Sequence, residues 1–198
     1  MLEQIKEIVP AEALDYVREL IKTYPCTFKM VNSRKTKHGD FSRKPGGKLQ
    51  ITINNDLNQH RFLLTLIHEI AHLVTFRKSG RVKPHGKEWK HNFQRLMLPL
   101  LHPRIFPTEL LPYLAMYLKN PKASTDSDVR LSLALKKYDP PNDKHFIFEI
   151  GYKQKFLYNR RTFELGAKRR TRYECTELST AKTYLFHQNT EVTQLEHE

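Results

Sequence analysis

Cysteine is nearly absent from this sequence, since Cys26 and Cys175 are the only two in 198 residues. Two thiols are too few for a disulfide framework, and they exclude any metal site built from four cysteines. A long uncharged run is also lacking, which argues against a membrane-spanning helix. We therefore expect a soluble protein with no membrane partner, and the cysteine usage favours a cytoplasmic location.

Acidic residues are outnumbered, because 34 Lys and Arg stand against 21 Asp and Glu and give a formal net charge of +13. Such an excess attracts polyanions, nucleic acid among them. Eight basic residues are interleaved with aromatic residues near the C-terminus: Lys153, Lys155, Arg160, Arg161, Lys168, Arg169, Arg170 and Arg172. This mixture suits single-stranded nucleic acid, DNA included. A solvated cationic sheet face with its aromatics in the core explains the pattern equally well.

Hydrophobic periodicity predicts an α+β protein. Apolar residues at helical spacing predict helices over 11–22, 62–76, 86–98 and 111–118, with Gly80 ending the second of these. Alternating apolar residues predict strands at 27–32 and 48–54, which we expect to pair antiparallel. The stretch 128–138 is compatible with a weak helix or a strand.

The character of the chain changes near residue 144. From there on, short alternating runs separated by turn residues predict a small antiparallel β module. We therefore divide the chain into a core at 1–120, a linker with a weak helix at 121–143, and the β module at 144–198.

The strongest chemical signal is the string His68-Glu69-Ile70-Ala71-His72, which falls in the middle of a predicted helix. Histidines four residues apart lie on one helix face, so two imidazoles can meet one metal ion, with Glu69 beside the remaining coordination position. Such strings also arise by chance in ordinary helices. Here the flanking residues are apolar, as a buried site requires.

A catalytic zinc ion typically has three protein ligands and one water, so the pattern calls for a third ligand. His85, Glu88 and His91 all follow within the next turn and helix, and spacing alone does not choose among them. In such a site the bound water loses its proton near neutral pH, and Glu69 can take that proton and pass it to a leaving amine.

Residues 68–90 resemble the SprT family of zinc metallopeptidases, to which the protease Spartan is related. The resemblance rests on the His-Glu-x-x-His string followed, at fitting separation, by Pro84-His85-Gly86-x-x-Trp89-Lys90. It implies a zincin-like core of helices packed on a small antiparallel sheet. It also implies that His68, His72 and His85 bind zinc and that Glu69 is the catalytic base.

Many members of that family carry a second, structural zinc in a C-terminal β module with paired Cys-x-x-Cys motifs. Here Cys175 has Leu178 where the second cysteine of such a motif would stand, and the other pair is missing. One thiol cannot hold a structural zinc. We therefore expect one catalytic zinc, no second zinc, and a β module stabilised by apolar packing.

Two functions are consistent with these residues. The first is a zinc-dependent metalloendopeptidase that hydrolyses a protein substrate; by resemblance to Spartan-type enzymes, that substrate would be bound or crosslinked to DNA. The alternative is a nucleic-acid-binding protein whose metal site is structural or vestigial.

Overall fold

The computed structural model describes residues 5–34 and 36–195. The chain divides into two compact units, Met1–Asp139 and Pro140–Glu198, and each unit has its own cluster of buried apolar side chains. The first unit combines helices with a small sheet and the second is mostly sheet, so the expected α+β class is confirmed. The predicted boundaries after residues 120 and 143 stay predictions.

A three-stranded sheet lies in the first unit and is mixed rather than antiparallel. Its strands are β1 (Thr27–Val31), β2 (Gly39–Arg43) and β3 (Leu49–Asn54), in the order β1-β3-β2. The prediction that β1 and β3 pair antiparallel is wrong, because they run parallel and β2 pairs antiparallel with β3. The polar connection contains β2, so the chain reverses direction twice before β3. Phe41 is the sole apolar side chain in β2, which explains why alternation did not reveal this strand.

The described residues of the first unit contain five helices of eight or more residues. They are α1 (Leu14–Thr23), α2 (Gln59–Ser79), α3 (Lys87–Met97), α4 (Leu111–Lys119) and α5 (Val129–Lys136). The four predicted helices are all present, and the ambiguous stretch near residue 130 is helical. Helix α5 is capped by Asp128, whose side chain accepts a hydrogen bond from the Leu131 amide.

Helix α2 is the centre of the first unit. It packs against α3 and against strands β2 and β3, so most of its circumference is buried. Its N-terminus is capped by Asn58, whose side-chain oxygen accepts hydrogen bonds from the amides of His60 (3.1 Å) and Arg61 (2.9 Å). It ends at Gly80, as predicted, where φ is +66° and a side chain would be strained.

The first turn of α2 is also tied to the C-terminal part of the unit. Asn58 donates hydrogen bonds to the Leu135 carbonyl (3.0 Å) and to Asp139 (2.6 Å). The buried Arg61 guanidinium lies 2.7 Å from Asp126 and 3.7 Å from Asp139. Burial would raise the pKa of Asp126, but bonds from His38 and Arg61 outweigh burial and hold that pKa at about 2. The carboxylate therefore stays ionised against Arg61.

The second unit is a six-stranded antiparallel sheet in the order β4-β9-β5-β6-β7-β8. Its strands are β4 (Lys144–Phe146), β5 (Lys155–Tyr158), β6 (Arg161–Arg169), β7 (Arg172–Glu177), β8 (Thr183–His187) and β9 (Glu191–Gln194). Phe156, Phe163 and Phe186 form the centre of its core, and Cys175 is buried beside them. The predicted antiparallel β module is therefore confirmed in its strands and in its apolar packing.

Within residues 5–34 and 36–195, no helix combines the length and the apolar character that crossing a bilayer requires.

We predict that Asn58→Ala lowers the free energy of unfolding by about 1–3 kcal/mol, because it removes the helix cap and the two hydrogen bonds to Leu135 and Asp139. Asn58→Ser is the matched control, since its hydroxyl can still cap α2 but is too short to keep both links. Denaturant unfolding in the presence of a chelator should rank the stabilities wild type, Ser, Ala. An Ala variant as stable as the wild type would contradict this account of the helix terminus.

Candidate metal centre

Two of the predicted ligands project from the middle of α2. His68 and His72 are one helical turn apart, and their Nε2 atoms lie 3.2 Å from each other. The helix is held at its start by Asn58 and is buried along most of its length, so both imidazoles occupy fixed positions. The local sequence alone dictates this pair, because four residues make just over one turn.

His85 reaches the same point from the turn between α2 and α3. The Gly86 amide donates to the Lys83 carbonyl at 3.0 Å, which closes a turn with Pro84 and His85 at its centre. Proline in the second position and a positive φ in the third are typical of a type II turn, and the φ of His85 is +55°. Glycine or asparagine normally occupies that third position, so the backbone is strained to present an imidazole.

The three imidazoles converge. The Nε2 atom of His85 lies 3.1 Å from that of His68 and 2.9 Å from that of His72. Tetrahedral zinc with ordinary zinc–nitrogen bonds places its ligand atoms about 3.3 Å apart, so a shift of a few tenths of an ångström would fit the ion. Three nitrogens facing one point also cannot all satisfy one another as hydrogen-bond partners. The donor set and its spacing therefore fit a zinc ion.

The protonation states favour the same conclusion. Burial, and then the neighbouring imidazoles, lower the pKa of His68 well below its usual value. Burial lowers the pKa of His72 to about 4 and also lowers the pKa of His85. Neutral imidazoles offer the lone pairs that a metal requires. The other candidates for third ligand, Glu88 and His91, are exposed on α3 and lie outside this cluster.

Trp89 forms the floor of the cluster. Its ring centroid lies 4.6 Å from that of His68, 5.3 Å from that of His72 and 4.7 Å from that of His85. It is fully buried, and Phe93 stacks on it at 5.0 Å. Its indole nitrogen donates to the His68 carbonyl at 3.4 Å. Sequence analysis used Trp89 as part of the motif that resembles the SprT family but gave it no role at the site, although its position one turn after His85 was a usable signal.

Glu69 is buried beside the cluster, with 6% of its surface exposed. Burial, and next the carboxylate of Asp40, raise its pKa to about 8, while a hydrogen bond from the Phe41 amide acts in the opposite direction. A divalent cation at the imidazoles would also favour the ionised carboxylate. These opposing effects let the Glu69 carboxyl group gain and lose a proton near neutral pH.

Strand β2 fixes the position of Glu69. The sequence analysis predicted Glu69 itself but not this role of β2. A Cβ atom on Gly39 would lie 2.6 Å from the Glu69 carboxylate and 2.8 Å from the Thr65 methyl group. Only glycine lets the strand approach this closely, and the approach brings the Phe41 amide to the carboxylate. No local signal marks Gly39, because the constraint comes from a helix distant in sequence.

A cavity of 410 Å³ opens onto the imidazoles and Glu69. Phe41, Phe76 and Val82 contribute apolar surface, and three cations, Lys37, Arg81 and Lys83, line it as well. β2 is an edge strand of its sheet and supplies part of this wall. The cavity therefore combines a metal-binding cluster, a buried carboxylate and an open backbone edge.

The eight basic residues predicted to contact nucleic acid are all exposed on the second unit, but they do not form one group. Lys168, Arg169, Arg170 and Arg172 surround the β6–β7 hairpin, while Arg160 and Arg161 lie at the other end of β6. Two of them have acidic partners. Arg161 binds Glu177 and lies 4.7 Å over the Tyr184 ring, and Arg169 lies 2.7 Å from Glu174.

Comparison with known proteins finds one matching family and several related proteins. Residues 13–105 match the SprT-like family. Protein SprT of Vibrio parahaemolyticus is 51% identical over 45 residues, which cover 21% of this chain and 27% of that protein. Protein SprT of Yersinia enterocolitica is 44% identical over 41 residues, which cover 20% and 24%. The chain thus aligns with about a quarter of the length of these relatives. No solved structure matches the chain.

We predict that His85→Gly and His85→Ala both lose metal, but that in chelator the Gly variant is more stable by about 0.5–1 kcal/mol. The reason is that glycine adopts the positive φ of this turn without the strain that a Cβ atom causes. Denaturant unfolding of both metal-free variants measures the difference. Equal stabilities, or a more stable Ala variant, would show that the turn is not strained as described.

Proposed function

We propose that the chain is a zinc-dependent metalloendopeptidase with a zincin-like core, in keeping with the match of residues 13–105 to the SprT-like family. The observation that carries this proposal is the convergence of three Nε2 atoms, 2.9–3.2 Å apart, beside the buried carboxylate of Glu69. A structural zinc site has no need for a buried carboxylate beside its ligands. A hydrolase needs one.

His68, His72 and His85 would hold the ion. Bound there, zinc would supply an activated water, with a pKa lowered to about 7, and would polarise the substrate carbonyl. Glu69 would take up a proton at its carboxylate as the water oxygen bonds to the carbonyl carbon, and would give that proton to the amine nitrogen as the C–N bond breaks. Burial raises the pKa of Glu69 and a bound cation would lower it, so the carboxylate can be ionised to take up the proton and can hold it until it is passed on.

Strand β2 supports a peptide as the substrate. In the part of the chain described, β2 pairs with β3 on one side only, and Gly39, Asp40 and Phe41 line the cavity. An extended peptide can add to such an edge through backbone hydrogen bonds. This arrangement would lay a substrate carbonyl across the cavity beside Glu69.

The first test is Glu69→Gln. We predict that this variant still binds one zinc per chain, because the three imidazoles remain, while hydrolysis of an unfolded protein such as casein falls by about 10²–10⁴-fold. Elemental analysis and peptide release measure the two effects. Glu88→Gln is the matched control, since this exposed acid on α3 lies outside the cluster and should change neither quantity. Full proteolysis by Glu69→Gln, or wild-type protein that takes up no zinc, would refute the proposal.

We further propose that the second unit binds single-stranded DNA and so directs the peptidase to DNA-bound or DNA-crosslinked proteins. The β6–β7 hairpin supports this, because Lys168, Arg170 and Arg172 are all exposed where its two strands meet. The exposed Leu185 pairs with Glu174 and so lies on the same sheet face as Arg172. The alternative function, a nucleic-acid-binding protein with a structural or vestigial metal site, predicts the same DNA affinity without hydrolysis.

The DNA proposal is tested with the triple variant Lys168→Gln, Arg170→Gln, Arg172→Gln. Each phosphate contact contributes about 0.7 to the slope of log affinity against log salt, so the slope should become shallower by about 2. Arg160→Gln, at the opposite end of β6, is the control and should have a smaller effect. Fluorescence anisotropy of a labelled oligonucleotide over a salt series measures both. An unchanged slope in the triple variant would contradict binding at this hairpin.

A further inference from the structure

The turn that delivers His85 to the metal cluster also carries two cations into the cavity. Arg81 and Lys83 precede His85 by four and two residues, and both line the cavity wall. Both side chains are exposed, and in the part of the chain that the structure describes neither has an acidic partner. Two unpaired positive charges therefore lie beside the proposed point of hydrolysis.

The cavity has little negative charge to balance them. Of its described lining residues, Asp40 and Glu69 are the acids. Asp40 is bound to Lys37 at 2.7 Å, and Glu69 is buried as the proposed base. The zinc ion would add two further positive charges. The cavity thus has an excess of positive charge, which favours a negatively charged group of the substrate.

We infer that this cavity selects an acidic side chain of the protein substrate, close to the bond that is cleaved, and that Arg81 and Lys83 determine this specificity. The inference rests on the proposed peptidase function. A Glu or Asp side chain matches the cavity in both its parts, because the aliphatic stem can contact Val82 and Phe76 while the carboxylate reaches the two cations.

Nucleic acid is the less suitable occupant of this site. The two cations share a cavity of 410 Å³ with apolar walls and a metal cluster, whereas a phosphate backbone is bound along an extended basic groove. The described lining residues also include Asp40 and Glu69. A row of phosphates filling the cavity would meet both carboxylates, whereas a single acidic side chain directed at Arg81 and Lys83 would not. Competition by DNA is nevertheless an outcome that the experiment below distinguishes.

The experiment compares pairs of peptides that differ only by Glu or Gln at one position within three residues of the scissile bond. For the most sensitive position, we expect the wild type to cleave the Glu peptide about three- to tenfold more efficiently, mainly through KM, as two partly exposed ion pairs allow. The double variant Arg81→Gln, Lys83→Gln should cleave both peptides alike. Charge reversal to Glu at both positions should invert the preference.

The matched control is Lys44→Gln, Lys48→Gln. These exposed lysines lie outside the cavity, so their removal changes the net charge equally without touching the site. The Glu preference should survive in this control. No preference in the wild type, an unaltered preference in the Arg81 and Lys83 variant, or an equal loss in the control would overturn the inference.

A binding measurement separates this inference from the proposed function. A labelled Glu peptide should bind Glu69→Gln more tightly than its Gln counterpart, and the difference should vanish when Arg81 and Lys83 are also replaced. If no peptide is hydrolysed but this difference is seen, the peptidase proposal fails and the acidic subsite stands. If single-stranded DNA displaces the peptide and its own affinity falls equally on loss of Arg81 and Lys83, the cations serve nucleic acid and the inference fails.

Discussion

The first unit is arranged around one energetically costly contact. Three imidazole nitrogens lie within 2.9–3.2 Å of each other in a partly buried position. Without a cation, their lone pairs repel and their hydrogen-bonding capacity is unmet. The surrounding structure has to hold them there. Helix α2 is fixed at its first turn by Asn58 and Arg61, and the aromatic stack of Trp89 and Phe93 holds α3 against the ligands.

The same contact explains features that otherwise look unfavourable. Among the residues that the structure describes, no Lys or Arg forms an ion pair with the buried Glu69, and His85 adopts a backbone conformation that suits glycine. The buried carboxylate and the positive φ of His85 each lower the free energy of unfolding, and a function at this site is what would offset that cost. Together with the close approach of Gly39, they concentrate strain and desolvation around one point, as is typical of catalytic sites.

Local patterns predicted a large part of this arrangement. The four predicted helices and the pairing of His68 with His72 follow from a helical period that neighbouring residues determine by themselves. The parallel arrangement of β1 and β3 could not be predicted in this way, because it depends on β2, whose single apolar residue gives no alternation. Spacing left the third ligand open among His85, Glu88 and His91, because only the turn geometry brings His85 back to α2; the choice of His85 came from the family resemblance. Gly39 matters through contacts with a distant helix, and no local pattern reports such contacts.

The basic run near the C-terminus shows a different limit. In sequence it is one cluster, but β6 separates its members by the length of a strand, and a bulge between Leu165 and Lys168 shifts the register of the later ones. Arg161 forms an ion pair with Glu177 that sequence could not anticipate. Composition therefore predicted that these basic residues are exposed, but it did not predict which of them lie at the same end of the sheet.

The ion pairs of Arg61 with Asp126 and Asp139 determine how much of the chain belongs to the first folding unit. The stretch that matches the family ends at residue 105, yet the carboxylates that face the buried Arg61 guanidinium belong to Asp126 and Asp139. A fragment cut at residue 105 would lack both carboxylates, and also the Leu135 carbonyl and the Asp139 side chain that bind Asn58. The part of the chain that holds the start of α2 in place therefore extends to Asp139, well past the stretch that matches the family.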